Sequence, residues 1–176
     1  MDKIELIRVS ADYAGKIMEY KEEFSDEHRG MIYVENRIPG LDYLEEYEDI
    51  FKWLQFCEEM SDKLTWYMAI RESDHQIVGV IVFRHQLEYD DDDVAFASHF
   101  GYSVRPSERG KGYAKEQLRL GLEKAKASGL DKVRIVCRDI NIGSNKTILA
   151  NGGIYIDTIH GELSGMNINR YDIQIF

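Results

Sequence analysis

The alternation of apolar and polar residues changes period along the chain, and each change marks an element. Ile4, Leu6, Ile7 and Val9 predict a strand over 4–9. Ser10 then stands as the N-cap of a helix over 11–27, in which Ala14, Ile17, Met18 and Phe24 recur at helical spacing. Pro39 with Gly30 and Gly40 makes 29–40 a loop. Asp42 with Glu45 is capping-box-like and starts a second helix, carrying Leu44, Tyr47, Phe51 and Leu54 and fading near Met60. Two strands follow, over 64–70 and 77–87, with Ser73-Asp74-His75 as the hairpin turn between them. An acidic loop at 89–93 precedes a strand over 96–104. Ala114, Leu118, Leu122 and Ala125 share one face of a helix over 114–128, with Gly129 at its C-cap. Val133, Ile135 and Cys137 alternate in a strand over 132–137. A short helix over 144–150 closes at Gly152-Gly153, and strands over 154–159 and 168–175 complete the pattern.

The order β-α-α-β-β-β-α-β-α-β-β belongs to the α/β class (α+β mixed), and 176 residues make one domain, 1–176. Strands joined by short turns pair antiparallel, while the helix between Val104 and Val133 predicts a crossover and a parallel pair. The expectation is a central mixed, largely antiparallel sheet of about seven strands with helices on both faces. Charge narrows the partners. A net charge of −10, from 32 acids and 22 bases, argues against general binding to nucleic acid or to an anionic membrane surface. No apolar run approaches the roughly 20 residues of a membrane span. The start Met1-Asp2-Lys3 is not a signal peptide, and Cys57 and Cys137 form no metal pattern. We expect a cytoplasmic protein with reduced, buried cysteines and no metal. An open sheet edge and the apolar last strand (Ile168, Tyr171, Ile173, Ile175) are compatible with a homodimer.

The chemistry concentrates in Gly101-Tyr102-Ser103-Val104-Arg105-Pro106-Ser107-Glu108-Arg109-Gly110-Lys111-Gly112-Tyr113-Ala114, between a strand and a helix. Small residues at 110, 112 and 114 let the backbone turn tightly and approach a ligand. The following helix offers unpaired N–H groups and the positive end of its dipole, an anion site suited to phosphate or pyrophosphate. Arg105, Arg109, Lys111 and Lys115 add positive charge in an acidic chain. The segment is neither a Walker A loop nor G-x-G-x-x-G.

Arg109-Gly110-Lys111-Gly112-Tyr113-Ala114 resembles the R/Q-x-x-G-x-G/A signature of the GNAT superfamily of N-acetyltransferases, and Val104-Arg105-Pro106 resembles that family's V-x-P. A second segment, Asn141-Ile142-Gly143-Ser144 followed by Ile148 and Gly152-Gly153, is similar to its N-x-x-S/A…G-G/F motif. The element order is similar over essentially the whole chain, and GYSVRPSERGKGYA resembles segments of bacterial predicted acetyltransferases. The resemblance implies the acyl-CoA N-acyltransferase fold and acetyl-CoA as cosubstrate. Its pyrophosphate would lie on the backbone N–H groups of Arg109, Gly110, Lys111, Gly112, Tyr113 and Ala114. The pantetheine arm would run along the edge of Tyr102, Ser103 and Val104, with Asn141 bonding to it and Ser144 and Asn145 beside it.

The implied reaction is direct transfer of the acetyl group to a primary amine of a small molecule or peptide, with a backbone N–H near Val104 polarising the carbonyl. Many members of the family carry a strand Glu and a motif Tyr as base and acid, where this chain has Ser98 and Ile148. His99 is the candidate base, with His85 behind it, and Tyr102 or Tyr155 are candidate acids. Transfer through a water relay without a single base is a further alternative. Tyr33, Glu35 and Asn36 fall where the family often contacts acceptors, and the acidic run at 90–93 would favour a cationic amine. Two other classes remain open: a catalytically silent CoA-binding regulatory module, and a structural partner protein.

Overall fold

Strand β3 (Ile77–Arg84) is apolar at nearly every position because both its faces are covered. Its alternate residues serve two cores. Val80 and Val82 join one, with Ile17, Tyr20, Trp53, Trp66 and Met68. Ile81 and Phe83 join the other, with Phe100, Leu118, Leu122, Ile135 and Ile148. The computed structural model describes residues 2–24, 37–87, 97–161 and 165–176. Within them, β1 (Ile4–Arg8), β2 (Leu64–Arg71), β3 and β4 (Phe100–Val104) form one sheet in that order. Strands β5 (Lys132–Arg138), β6 (Ile154–His160) and β7 (Asn167–Gln174) form a second, in the order β5-β7-β6. Helices α1 (Ala14–Glu22) and α2 (Ile50–Glu59) supply the first core. Helices α3 (Tyr113–Ala127) and α4 (Ile142–Ala150) cover the opposite face.

This is the seven-strand, largely antiparallel α+β architecture expected, with helices on both faces. The crossover through α3 also occurs, but the parallel pair expected at its end does not form a ladder: every paired strand is antiparallel and β4 is not laddered to β5. The two sheets meet at Ser98 and His99, just before β4. The His99 N–H donates to Arg134 O at 2.9 Å, and the Arg134 N–H donates to His99 Nδ1 at 2.9 Å. Ser98 Oγ donates to Phe100 O and accepts from the Val136 N–H. These bonds divert 98–99 toward β5, so the strand read as 96–104 begins its ladder only at Phe100.

Several local expectations are corrected. Ser10 makes no side-chain cap bond; a short 3-10 turn over Ala11–Tyr13 precedes α1, which ends at Glu22. Asp42 does not start a helix, because its carboxylate is drawn to Arg84 and to the Gly40 N–H, and Tyr43 turns left-handed at φ 69°. The second helix starts instead at Asp49, whose carboxylate accepts from the Phe51 N–H at 2.8 Å. The apolar last strand, β7, lies between β5 and β6, with Ile168, Tyr171 and Ile173 buried. The acidic run at 90–93 and Tyr33, Glu35 and Asn36 lie outside the described residues.

Asp49→Ala should lower stability by about 1 kcal/mol in urea unfolding, whereas Ser10→Ala should stay within about 0.5 kcal/mol. His99 gives a pH signature. Burial, reinforced by the Arg134 and Arg84 charges, holds its imidazole below the ordinary value of 6.5. The unfolded chain therefore takes up a proton that the folded one does not. This contribution to stability is complete above pH 6.5 and is lost as pH falls below it. Wild-type urea midpoints should fall between about pH 7 and pH 5, and His99→Gln should flatten that slope. Identical slopes would show that His99 is not held neutral.

Candidate functional site

The site begins with the way β4 shares its backbone. The Arg84 N–H donates to His99 O and the Arg105 N–H to Val78 O, with Gly101 opposite Val82 and Ser103 opposite Val80. Residues of an antiparallel ladder alternate between turning both peptide groups toward the partner and turning both away. Gly101 and Ser103 therefore face β3, and the peptide groups of Tyr102 and Val104 point away from it, on the side where β5 forms no ladder. The Ser103 side chain works inside the fold, donating to Pro39 O at 2.6 Å and accepting from Tyr20 Oη at 3.0 Å.

Past Val104 the chain makes a 3-10 turn over Pro106–Glu108 and then two left-handed glycines, Gly110 at φ 76° and Gly112 at φ 91°. Side chains at these positions would strain the backbone, so the glycine spacing read from the sequence has a conformational cause. Helix α3 follows at Tyr113, and its first bond runs from the Glu116 N–H to Gly112 O. The N–H groups of residues 110–115 take no partner among the described residues. Not all the nearby bases face solvent. Arg105 is buried, donating to Ile77 O and pairing with Glu23 at 2.8 Å, so it is structural and does not serve as a free cation. Lys111 is exposed but bonds to Glu108 at 2.9 Å. Glu108 is itself buried; burial pushes its carboxyl up, but Lys111 and Arg71 together outweigh that and hold it below the usual range. Arg71 also donates to Tyr113 Oη, so the Tyr113 side chain is part of the core and only its backbone faces the loop. Arg109 is exposed.

The second motif sits across from β4. Asn141 caps α4, its Oδ1 accepting from the Ser144 N–H at 3.0 Å, and its Nδ2 has no partner among the described residues. Ser144 Oγ lies 3.0 Å from Tyr102 Oη, joining β4 to α4, and it is also a partner of Cys137. Burial pushes the Cys137 thiol up to about 11, a little offset by Ser144. Asn145 is fully engaged within the protein: Nδ2 donates to Arg138 O, Asp139 O and Asn141 O, and Oδ1 accepts from Tyr171 and Asn169. Its side chain fixes α4 to the second sheet.

The candidate base does not fit the structure. A backbone N–H only donates, so His99 Nδ1 must accept from Arg134, and the proton of the neutral ring sits on Nε2. The carbonyl of Arg134, 3.3 Å from the same nitrogen, is then a neighbour and not a partner. A ring in this state has no lone pair to offer without breaking the junction of the sheets. Ile148 is fully buried and Ser98 bonds within the fold. His85 bonds to Thr65, and Tyr155 to Thr158 on exposed β6. Surface depressions of about 240 Å³, lined by Lys16, Glu19, Asp74, Gln76, Ile77 and Arg105, and about 300 Å³, between α3 and β7, do not include the 109–114 loop. Among the described residues no cluster of His, Cys, Asp and Glu could hold a metal, and no helix is long and apolar enough to cross a membrane.

The Acetyltransferase (GNAT) domain family matches residues 8–154. No curated protein matches the chain. Among solved structures, a ribosomal-protein-S5-alanine acetyltransferase from Vibrio fischeri is similar at 16% identity with a TM-score of 0.73, over 99% of this chain and 94% of that one. RimJ of Mycobacterium smegmatis, in complex with CoA-disulfide, is similar at 15% identity with a TM-score of 0.73, over 97% and 81%. A spermidine N-acetyltransferase chimera, SpeG from Vibrio cholerae with hSSAT, is similar at 13% identity with a TM-score of 0.68, over 97% and 95%. These likenesses are likenesses of fold. The family match spans most of the chain, and with the glycine loop and the outward edge of β4 it leads to one conclusion: the chain belongs to the GNAT acetyltransferase family and is an acyltransferase enzyme.

Proposed function

We propose that this enzyme transfers the acetyl group of acetyl-CoA to a primary amine of a small molecule or peptide in the cytoplasm. The observation that carries the reading is the row of N–H groups at 110–115, held open by left-handed Gly110 and Gly112, together with the outward backbone of Tyr102 and Val104. Such a row suits the pyrophosphate of the coenzyme, and a strand edge suits its peptide-like arm. Arg109 adds charge, Lys111 offers its backbone N–H while its ammonium pairs with Glu108, and Asn141 Nδ2 is a donor on the other wall. RimJ, similar in fold, is seen with CoA-disulfide, and the other two neighbours are acetyltransferases of a ribosomal protein and of spermidine.

In the transfer, the amine nitrogen bonds to the carbonyl carbon as the carbon–sulfur bond breaks. The outward N–H of Val104 polarises the carbonyl oxygen. The hydroxyl of Tyr102, poised by Ser144, protonates the departing sulfur. With His99 occupied and no carboxylate at Ser98, the amine's proton leaves through water. The net charge of −10 favours a cationic acceptor.

Arg109→Ala combined with Gly112→Asp should weaken acetyl-CoA binding by about 100-fold or more in isothermal titration, with circular dichroism unchanged. Undiminished affinity would place the coenzyme elsewhere. A thiol-release assay over polyamines and peptide N-termini then separates transfer from silent binding. On the acceptor it identifies, Tyr102→Phe should slow turnover by about 100-fold.

A further inference from the structure

The N–H row at 110–115 needs a fixed backbone, and the contacts that fix it come from a distant part of the chain. Four positions at and beyond the end of β4, residues 103, 105, 107 and 109, are touched by the last turn of α1 and the two residues that follow it. Tyr20 donates its hydroxyl to Ser103 Oγ, because Ser103 has committed its own proton to Pro39 O. The ring of Tyr20 also lies under the Arg105 guanidinium, 5.4 Å from its centroid. Glu23 accepts with both oxygens, from Arg105 Nη1 at 2.8 Å and from the Ser107 N–H at 2.7 Å. Phe24 carries the Arg109 guanidinium over its ring at 5.5 Å, while Arg109 Nε reaches toward Val104 O at 3.4 Å. Tyr20 lies in the last turn of α1, Glu23 is its C-cap, and Phe24 follows with its N–H bonded to Lys21 O. These residues meet the end of β4 and the 3-10 turn that follows it, contacting Ser103, Arg105, the Ser107 N–H and Arg109.

We propose that Glu23 and Phe24 are positioning residues that set the shape of the 105–112 loop and aim Arg109 for coenzyme binding. The proposal rests on the coenzyme reading above. Neither residue touches the N–H row; each acts through Arg105, Ser107 or Arg109. Glu23 holds the first N–H of the 3-10 turn, from which the glycine turns start, and a buried arginine lies on its other side. Phe24 is 1% exposed and gives Arg109 a flat apolar platform. A guanidinium held on such a platform loses less freedom when it meets an anion than one ranging through solvent.

The test uses Glu23→Gln, Phe24→Leu and the ring-retaining Phe24→Tyr, with Asp49→Ala as a control of altered stability far from the loop. Amide NMR of the ligand-free proteins follows the Gly110 and Gly112 resonances, and isothermal titration with acetyl-CoA follows affinity. Glu23→Gln and Phe24→Leu should shift both glycine resonances and raise Kd by about 10-fold. Phe24→Tyr should restore the wild-type Kd to within about two-fold, and the Asp49→Ala resonances and Kd should match wild type. Unmoved glycine resonances, or an unchanged Kd in both variants, would overturn the proposal. Failure of the wild type itself to bind acetyl-CoA would sink the coenzyme reading instead, and would take the aim of Arg109 with it; the glycine resonances would still report on the loop.

Discussion

A buried backbone N–H or C=O must find a partner, and the fold turns on how β4 meets that requirement. One side of the strand is satisfied by β3. On the other, β5 is bonded at Ser98 and His99, where the imidazole, the hydroxyl and one backbone bond stand in for a ladder. The sheets stay joined at one end, and the backbone of Tyr102 and Val104 is directed away from β3 at the other. A complete parallel ladder between β4 and β5 would have been the simpler solution for stability. It would also have occupied the strand edge on which the proposed chemistry depends.

The same economy governs the loop after β4. Its charges are mostly neutralised from within: Arg105 by Glu23, Lys111 by Glu108, and Glu108 by Arg71 as well. The loop is thus held by a network of paired, largely buried charges and does not depend on a strong local field. Paired ions of this kind lose much of their attraction to desolvation but impose geometry. An anion approaching the row of amides meets a prepared shape with modest positive charge, in keeping with an acidic protein that must still bind a phosphorylated ligand.

Much of this was legible in the chain alone. The long helix α3 and the strands around it follow from period, and the glycines at 110 and 112 follow from the conformations they adopt. What escaped was decided by partners far away in sequence. Asp42 looks like a helix cap until Arg84, on β3, claims its carboxylate. His99 looks like a base until the amide of Arg134 occupies its lone pair. The contacts of Glu23 with Arg105 and Ser107 span more than eighty positions and leave no local signature. Local rules read the backbone well, whereas the assignment of each polar side chain depends on the whole set of competitors for it.

The exposed strand β6 has a consequence of another kind. Among the described residues it lies at the end of its sheet with Ile154, Tyr155 and Ile156 all accessible, and Ile142 and Leu149 of α4 are exposed as well. An apolar sheet edge is a template on which identical chains can pair. Mutual repulsion between molecules carrying ten surplus negative charges opposes such pairing at neutral pH. Acidification toward the isoelectric point of about 5.0 that the sequence implies reduces that repulsion. Pairing through this edge would therefore meet least electrostatic resistance near that pH.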